Sequence, residues 1–211
     1  DIGKAVFGMI LRPCVIINGF PRACTTQIQR LSEQSEKSKE EKYSLDWKYR
    51  WSKLEKIVKQ YKSKKNAYDC IVPVTGSQDS YFTVYIVKKL GLNPLLVNYN
   101  KYFNTSVGIE NLSNLRIKFN CDIIFKNVNI NSVKKITKNT FVKFGNIYWP
   151  ILAGHSVFPV EASIKFKIPL IIWGAHQGIE QVGMFSHKNE VEMSRRYRKD
   201  HDLFNFEAAR H

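Results

Sequence analysis

The stretch of sequence that decides the fold is Tyr68-Asp-Cys-Ile-Val-Pro-Val-Thr-Gly-Ser-Gln-Asp-Ser80. It contains an apolar run from Cys70 to Val74 that is rich in β-branched residues and predicts a buried strand. A turn of small residues, Thr75-Gly-Ser77, follows this strand, and a helix is predicted from Tyr81 to Leu90. Strand, tight turn and helix in this order form the first half of a βαβ unit.

The predicted helix and the run after it complete the unit. The apolar residues at helical spacing, which predict its buried face, are Phe82, Tyr85, Ile86 and Leu90. Gly91 stops the helix, because glycine readily adopts the left-handed conformation found beyond helix ends. Pro94 then begins a second extended run, Leu95-Leu-Val97, so this run is predicted to be the second strand of the unit.

The turn between the first strand and the helix is a candidate anion site. Backbone N–H groups at a helix N-terminus have no partner within the helix and suit phosphate oxygens. The hydroxyl groups of Ser77 and Ser80 add two donors. An ordinary turn, capped by Asp79 or Ser80, would show the same pattern. Both interpretations stay open on these residues alone.

The rest of the chain continues the alternation of strands and helices. The further predicted elements are a helix from Ser106 with Ile109, Leu112, Leu115 and Phe119 on one face, a buried strand over Asp122–Phe125, a helix marked by Val133, Ile136, Thr140, Phe141 and Phe144, a turn over Gly145–Pro150, a helix over Pro159–Phe166 that starts on its proline, and a buried strand over Pro169–Trp173. This order predicts an α/β fold, with helices flanking both faces of a parallel sheet. Ligands of such sheets bind at the carboxyl ends of the strands.

Two units are predicted along the chain. Residues 67–211 form the α/β domain, and residues 1–66 precede it as a strand, a turn and a helical extension. The strand and turn lie at Arg12–Gly19, where a short apolar run ends in Asn-Gly. Aromatic and apolar residues recur near helical spacing over Leu45–Tyr61, which predicts an amphipathic helix packed on the domain by this stripe.

Composition indicates a globular protein that stays in the cytoplasm. Of its 211 residues, 44% are hydrophobic and 13% are aromatic, which is enough for a core. No apolar run approaches the roughly 20 residues that a membrane span needs, so no membrane contact is expected. The four cysteines, none of them in a Cys-x-x-Cys pair, are Cys14, Cys24, Cys70 and Cys121. Reduced thiols are therefore predicted, with neither disulfides nor a zinc site.

The net charge of +15 leaves three interpretations open. A nucleic-acid partner, phosphorylated small substrates, or a lysine-rich solvated surface would each produce it. The basic residues cluster on three separate predicted helices, at Lys37–Lys65, Lys134–Lys143 and Arg195–Lys199. Because this spread does not concentrate charge on one helix, it favours the solvated surface over nucleic-acid binding.

A second loop, Gly174-Ala-His-Gln-Gly-Ile-Glu-Gln-Val-Gly183, follows the last predicted strand. In a parallel sheet it faces the same crevice as Thr75–Ser80. Glu180 is a candidate ligand for Mg²⁺ against phosphate groups. His176, or His187 just after the loop, is a candidate for moving a proton. The alternative is that Glu180 caps a helix and that both histidines lie on the surface.

The turn Thr75-Gly-Ser-Gln-Asp-Ser80 resembles the Ser-Gly-Gly-x-Asp-Ser loop of the PP-loop ATP pyrophosphatases. These enzymes adenylate a carbonyl oxygen and release pyrophosphate. Thr75 replaces a serine, Ser77 replaces a glycine, and Gln78 stands where close relatives often have lysine. The resemblance implies ATP as the nucleotide.

Further segments are similar to one PP-loop subgroup, the N-acetyl sugar amidotransferases of bacterial surface-polysaccharide and flagellin-glycan assembly. These segments are Gly91–Val97, Tyr148–Pro150, Phe158–Val160, Ile168–Gly174 with the His-Gln-Gly that follows, Val182–His187, Glu190–Met193 and Arg196–His201. The resemblance extends from about Arg12 to Glu207. It implies an enzyme that uses ATP and Mg²⁺ to convert the acetamido group of a nucleotide-linked sugar into an acetamidino group.

The resemblance also implies roles for individual residues and a partner. The implied ATP contacts are Val74, Thr75, Gly76, Ser77, Gln78, Asp79, Ser80, Trp173 and Gly174, and the implied catalytic residues are Asp79, Ser80, Glu180 and His176. No cysteine of the chain has the context of a glutaminase nucleophile. Ammonia is therefore expected from a partner glutaminase subunit with its cyclase-like partner, and a homo-oligomer is left open.

The chain departs from the family at several positions. Relatives usually carry Cys-x-x-Cys pairs near the N-terminus, whereas here Pro21 stands where the mate of Cys24 would be. Relatives also continue beyond this C-terminus, so part of the acceptor site could be missing. Two other functions stay open: a PP-loop enzyme that thiolates tRNA, which should show a catalytic cysteine pair, and a catalytically impaired paralogue acting as an assembly subunit.

Overall fold

A sheet of parallel strands lies at the centre of the molecule. The computed structural model describes residues 14–16, 46–62, 67–174, 195–197, 199 and 203, and these ranges contain five strands. The strands are β1 (Cys14–Ile16), β2 (Cys70–Pro73), β3 (Pro94–Tyr99), β4 (Ile123–Lys126) and β5 (Leu170–Trp173). All neighbours pair in parallel, in the order β1-β5-β2-β3-β4. The predicted α/β class with a parallel sheet is confirmed.

Helices connect and cover the strands. Within the described ranges they are α1 (Trp47–Tyr61), α2 (Gln78–Lys89), α3 (Ser106–Phe119), α4 (Ile130–Phe144), α5 (Trp149–Phe166) and the short α6 (Arg195–Tyr197). The order β2, turn, α2, β3 is the predicted βαβ unit. Gly91 has a φ of +73° just beyond α2, as predicted for the residue that ends this helix.

Alternating side chains along the strands supply two apolar cores. On one face of the sheet, called the three-helix face, residues of α1, α2 and α3 pack on the strands. Its buried members are Val58, Cys70, Val72, Val74, Val84, Ile86, Val87, Leu92, Leu96, Leu115, Cys121, Leu170 and Ile172. The other face, called the α5 face, is covered by α5. Its buried members are Ile71, Leu95, Val97, Phe158, Ala162, Ile168, Ile171 and Trp173.

Helix α1 confirms the predicted amphipathic helix before the domain. It begins at Trp47 instead of Leu45, because Asp46 Oδ1 accepts the N–H of Tyr49 at 2.9 Å and caps the helix. Trp51 and Tyr61 pack against the three-helix core, as the aromatic stripe predicted. The predicted division of the chain at residue 66 falls among residues 63–66, outside the described residues, and stays a prediction.

The predicted buried face of α2 is only partly right. Ile86 is buried and Leu90 packs against the three-helix core, as predicted. Phe82 and Tyr85 are 39% and 50% exposed, whereas the smaller Thr83, Val84 and Val87 are buried. Small side chains let the helix lie close to the sheet, and the large rings are left at its solvent edge. The capping prediction is also wrong, because Ser77 occupies the N-cap and the helix already begins at Gln78.

Helix α5 begins earlier than the sequence predicted: the predicted turn over Gly145–Pro150 is present but ends at Tyr148, and the helix starts at Trp149 instead of Pro159. One helix runs from Trp149 to Phe166, with Pro150 in its first turn, where a missing N–H leaves no bond unmade. Pro159 lies inside it and cannot donate to the carbonyl of His155 four residues earlier. The prediction of a start at Pro159 was wrong, because Pro159 and Phe158 are buried and their packing offsets the lost hydrogen bond.

The outer elements are less buried than predicted. β4 is an edge strand, so Phe125 is 48% exposed instead of buried. On α3, Leu115 is buried, and Leu112 and Phe119 pack against the three-helix core, but Ile109 is exposed. On α4, Ile136 and Phe141 are exposed while Thr140 is buried; the list of predicted apolar faces was therefore only partly right.

Two of the four cysteines have described side chains. Cys70 and Cys121 are buried free thiols, as predicted, and burial raises the pKa of both. Cys24 lies outside the described residues. Within the described part of the chain, no helix is both long enough and apolar enough to cross a membrane.

Candidate functional site

A cavity of about 270 Å³ opens where the carboxyl ends of β2, β3 and β5 meet α5. Its lining residues are Pro73, Val74, Thr75, Ser77, Asp79, Ser80, Thr83, Val97, Tyr99, His155, Phe158, Pro159, Trp173 and Gly174. This is the edge of the sheet at which a ligand was predicted to bind. The cavity has a polar wall, made by the turn after β2, and an aromatic wall, made by β3, α5 and β5.

The turn from Thr75 to Ser80 forms the polar wall. Gly76 has a φ of +79°, and a Cβ at this position would lie 3.0 Å from Leu112 Cγ, so both conformation and space favour glycine. The N–H of Thr75 donates to Ser80 Oγ at 2.8 Å, and Thr75 Oγ1 donates to Ser77 Oγ at 3.1 Å. These bonds gather the three hydroxyl groups at one wall of the cavity.

Strand β3 fixes the start of this turn. Val74 donates its N–H to the carbonyl of Val97 at 2.9 Å. The buried Asn98 donates from Nδ2 to the Val74 carbonyl at 2.7 Å. A side-chain hydrogen bond thus continues the pairing of β2 with β3 by one residue, and the turn leaves the sheet from a fixed point.

The first turn of α2 presents backbone donors beside these hydroxyl groups. The side chain of Ser77, at the N-cap, makes no capping hydrogen bond within the described residues. The N–H groups of Gln78, Asp79 and Ser80 lie in the first turn of the helix, where no helical carbonyl can reach them. Backbone N–H groups in this arrangement suit phosphate oxygens, so the donor set of this wall fits a phosphate group.

Charge at the cavity differs from the charge of the chain. Although the net charge is +15, the described residues that line the cavity include a carboxylate, Asp79, and no lysine or arginine. Gln78, where close relatives often have lysine, is exposed and does not line the cavity. In the described part of the site, phosphate would therefore depend on backbone N–H groups, hydroxyl groups and a divalent cation at Asp79.

The opposite wall is aromatic and carries a histidine. The ring of Tyr99 meets that of His155 edge-on, with centroids 6.0 Å apart. Gly154 permits this contact, because a Cβ there would lie 2.2 Å from the tyrosine ring. Burial and the charge of Lys101 lower the pKa of His155, against the opposing effect of its hydrogen bond to the Tyr99 backbone. His155 is therefore neutral near pH 7.

Strand β5 brings its last residues to both walls. A Cβ on Gly174 would lie 2.2 Å from Thr83 Oγ1, so glycine allows β5 to approach α2 closely. Thr83 Oγ1 donates to the Asp79 carbonyl at 2.7 Å. Trp173 is 7% exposed, and its buried indole N–H has no hydrogen-bond partner among the residues that the structure describes.

The structure brings most of the predicted ATP contacts together. Those that line the cavity are Val74, Thr75, Ser77, Asp79, Ser80, Trp173 and Gly174. Gly76 turns the chain behind the wall, and Gln78 lies on the surface. The second loop beyond Gly174, with His176, Glu180 and His187, lies outside the described residues. The roles given to all these residues stay predictions.

Sequence reasoning missed half of the lining residues, including every residue that β3 and α5 contribute to the aromatic wall. The unforeseen lining residues are Pro73, Thr83, Val97, Tyr99, His155, Phe158 and Pro159. Tyr99 carried a signal, because it is the last residue of a strand in a parallel sheet. His155 carried none, because a turn was predicted before it and a helix only from Pro159.

Comparisons with solved structures show a shared fold. An NMN synthetase from Francisella tularensis matches with a TM-score of 0.50 at 12% identity, over 68% of this chain and 60% of that chain. An NH3-dependent NAD synthetase from Campylobacter jejuni gives a TM-score of 0.48 at 12% identity, over 67% of this chain and 62% of that chain. A glutamine-dependent NAD+ synthetase from Acinetobacter baumannii gives a TM-score of 0.43 at 13% identity, over 56% of this chain and 23% of that chain.

Comparisons of the amino-acid sequence identify no family for this chain. No family model matches the sequence, and neither does any curated protein. The structural matches reach about three fifths of the length of the first two enzymes. The match to the NMN synthetase therefore shows that this chain shares its α/β fold.

Proposed function

We propose that this chain is a PP-loop enzyme that uses ATP and Mg²⁺ to convert the acetamido group of a nucleotide-linked sugar into an acetamidino group, in the cytoplasm. The observation that carries the proposal is the turn Thr75–Ser80. Asp79 and Ser80, in the first turn of α2, line a cavity at the carboxyl end of β2, and the side chain of Ser77 makes no capping hydrogen bond among the described residues. The fold shared with an NMN synthetase supports the same interpretation.

The polar wall would bind the phosphate groups of ATP. The N–H groups of Asp79 and Ser80 and the hydroxyl groups of Thr75 and Ser77 are the donors proposed for this role. Bound ATP supplies the adenylyl group that turns the amide oxygen into part of a good leaving group, AMP. Because no described lysine lines the cavity, we expect a strict requirement for Mg²⁺, held at Asp79 and, as the sequence predicts, at Glu180.

The aromatic wall would keep water away from the amide while nitrogen enters. Ammonium holds its proton until about pH 9, in the range of ordinary amines, so free ammonia is a minor species near neutrality. His155 is neutral near pH 7 and lines the cavity, so it can accept a proton from the entering nitrogen. His176, outside the described residues, remains the residue that the sequence predicted for this role.

A glutaminase subunit is proposed as the source of ammonia. Ammonia delivered directly from a docked partner would avoid protonation in solvent. The basic residues Arg195 and Arg196, which are exposed on α6, are proposed for its docking surface, because opposite charges speed association. The isolated chain is then expected to use ammonium salts at alkaline pH and to ignore glutamine.

Pyrophosphate release from ATP tests the proposed function. The purified chain is incubated with ATP, Mg²⁺ and ammonium, together with either an N-acetylated nucleotide sugar or tRNA. Release that depends on the nucleotide sugar is expected. Release that depends on tRNA would favour the thiolating enzyme, and neither ATP binding nor release would favour the impaired paralogue.

A matched pair of carboxylate variants locates the activity. Asp79→Asn removes the charge that lines the cavity and is expected to lower pyrophosphate release at least tenfold, or to raise the Mg²⁺ requirement. Glu161→Gln removes a carboxylate on α5 that pairs with Lys126 at 2.7 Å, outside the cavity lining. Equal activity of the two variants would contradict the proposed position of the site.

A further inference from the structure

The indole N–H of Trp173 is the unexplained polar group of the cavity. It is buried and has no hydrogen-bond partner in the described part of the chain. Other tryptophans there do have partners: Trp51 Nε1 donates to Glu55 Oε1 at 2.6 Å, and Trp149 Nε1 donates to the Leu203 carbonyl at 3.2 Å. A buried donor left without an acceptor destabilises a fold by about 1–3 kcal/mol, so such a group calls for an explanation, and a bound ligand is one that fits its place at a cavity.

Trp173 lies at the wall of the cavity with its indole nitrogen covered, so an acceptor atom of a ligand reaches this donor once a side chain of the wall moves. The residue is the last of β5, is 93% buried, and lines the cavity. It stands on the α5 face with Phe158 and Tyr99, whereas the phosphate-fitting turn belongs to the opposite wall. A ligand whose phosphate groups lie at the turn would extend its uncharged part to this aromatic end.

The neighbours of Trp173 define the chemistry that fits there. Tyr99, Phe158 and Trp173 offer flat apolar surfaces, which favour planar groups. Pro159 and Val97 add apolar surface, and no lysine or arginine among the described residues lines this cavity. His155 is neutral near pH 7. A charged group would lose its hydration there without gaining an opposite charge, so an uncharged planar group with one acceptor atom fits better.

We infer that the Trp173 indole N–H anchors an uncharged planar group of a substrate by donating to its sp² nitrogen or oxygen. Two sources share this chemistry under the proposed function: the adenine ring of the nucleotide and the acetamido group of the sugar. The inference rests on the proposed function for the choice of these two substrates. The anchor itself rests on the buried donor and on the cavity.

Indole NMR tests the anchor without any need for activity. The full chain, labelled with ¹⁵N in its tryptophan indoles, should give one signal for each of its four tryptophans. Trp47→Phe, Trp51→Phe and Trp149→Phe assign three of them, and Trp173 follows by elimination, so no substitution in the cavity is needed. The titrants are AMP with Mg²⁺, UDP-N-acetylglucosamine, and UDP-glucose, which lacks the acetamido group.

One titrant is expected to move the Trp173 N–H proton downfield, because a new hydrogen bond deshields it, while the Trp149 signal stays in place. A shift with AMP identifies the adenine ring as the acceptor. A shift with UDP-N-acetylglucosamine but not with UDP-glucose identifies the acetamido group. A Trp173 signal that does not move with AMP or with UDP-N-acetylglucosamine overturns the inference, whether or not these molecules bind elsewhere.

Affinity gives a second measurement. Trp173→Phe keeps an aromatic ring and removes the donor, so the affinity for the titrant that moved the signal should fall between about 2-fold and 10-fold. Trp149→Phe should leave it unchanged. Failure of the proposed function can be told apart from failure of this inference. A Trp173 shift without any pyrophosphate release would support the anchor and contradict the proposed reaction.

Discussion

The two faces of the sheet are built on the same strands but are covered differently. Along β3, Leu96 belongs to the three-helix face and Val97 to the α5 face, and both are buried. On the first face, three helices pack apolar side chains against the strands. On the second, a single helix, α5, covers the strands and leaves a cavity at their carboxyl ends. Apolar packing is thus more extensive on the first face, and the aromatic wall of the cavity lies on the second.

The difference also appears in local backbone features. The α5 face carries a proline inside a helix and a buried indole donor without a described partner. Each feature lowers stability by itself, and each lies at the cavity. Residues of a binding site are selected for contact with a ligand, so features that lower stability are expected to occur there.

The largest effect is expected from Leu96→Ala on the three-helix face. Leu96 is fully buried, and removing its side chain should lower the free energy of unfolding by about 2–5 kcal/mol. ATP affinity of the remaining folded protein should not change, because Leu96 does not line the cavity. Urea unfolding and calorimetry measure the two quantities. Val97→Ala, at the next residue of the strand, should have the opposite pattern: a smaller loss in the free energy of unfolding than Leu96→Ala, and weaker ATP binding.

The next effect is expected from Gly76→Ala, with Gly145→Ala as its control. Both glycines have positive φ, +79° and +67°, so each substitution should lower the free energy of unfolding by about 1–2 kcal/mol. A Cβ meets nothing within 4 Å at Gly145 but lies 3.0 Å from Leu112 Cγ at Gly76. Gly76→Ala should therefore destabilise more and also weaken ATP binding. Equal effects of the two variants on ATP binding would show that the turn is not part of the site.

A gain in stability is expected from Pro159→Ala on the α5 face. Alanine restores an N–H that can donate to the His155 carbonyl, which is worth about 1 kcal/mol net in the free energy of unfolding. The same change removes part of the cavity wall, so ligand affinity should fall. Thermal unfolding and calorimetry test the pair of outcomes. Lower stability together with unchanged affinity would show that Pro159 serves packing alone.

The smallest effect concerns the pH dependence of stability at His155. Its pKa in the folded protein is lowered from 6.5, mainly by burial, so the unfolded chain binds the proton more readily. Stability should therefore decrease as the pH falls below about 6.5, and the decrease should end below the folded pKa. His155→Gln should show a shallower decrease in urea titrations over this range. The same slope in both proteins would contradict the lowered pKa.

The predictable part of the molecule is the part encoded locally. The βαβ unit followed from the apolar run at Cys70, the small residues of the turn and Gly91, all within about 30 residues. The parallel sheet followed from the alternation of such segments. The residues of the polar wall were singled out from the sequence for the same reason, because Thr75 to Ser80 are contiguous.

The unpredicted part depends on contacts between distant segments. The helix around Pro159 survives because burial against the strands offsets a poor local propensity, and sequence pattern shows only the propensity. His155 joins the site because α5 packs across β3, where Gly154 admits Tyr99. The exposed Phe82 and Tyr85 reflect the close approach of α2 and β5 at Gly174, which no spacing along α2 reveals.

The position of β5 in the sheet has a consequence for synthesis of the chain. β5 lies between β1 and β2, although it follows β2 by about 100 residues. At translation rates of about 5–20 residues per second, the nascent sheet keeps an open seam at β2 for roughly 5–20 seconds. An unpaired strand edge in this interval is a point at which a chaperone can bind or chains can aggregate. Because Trp173 and Gly174 line the cavity, a ligand bound there can stabilise the fold only after that seam has closed.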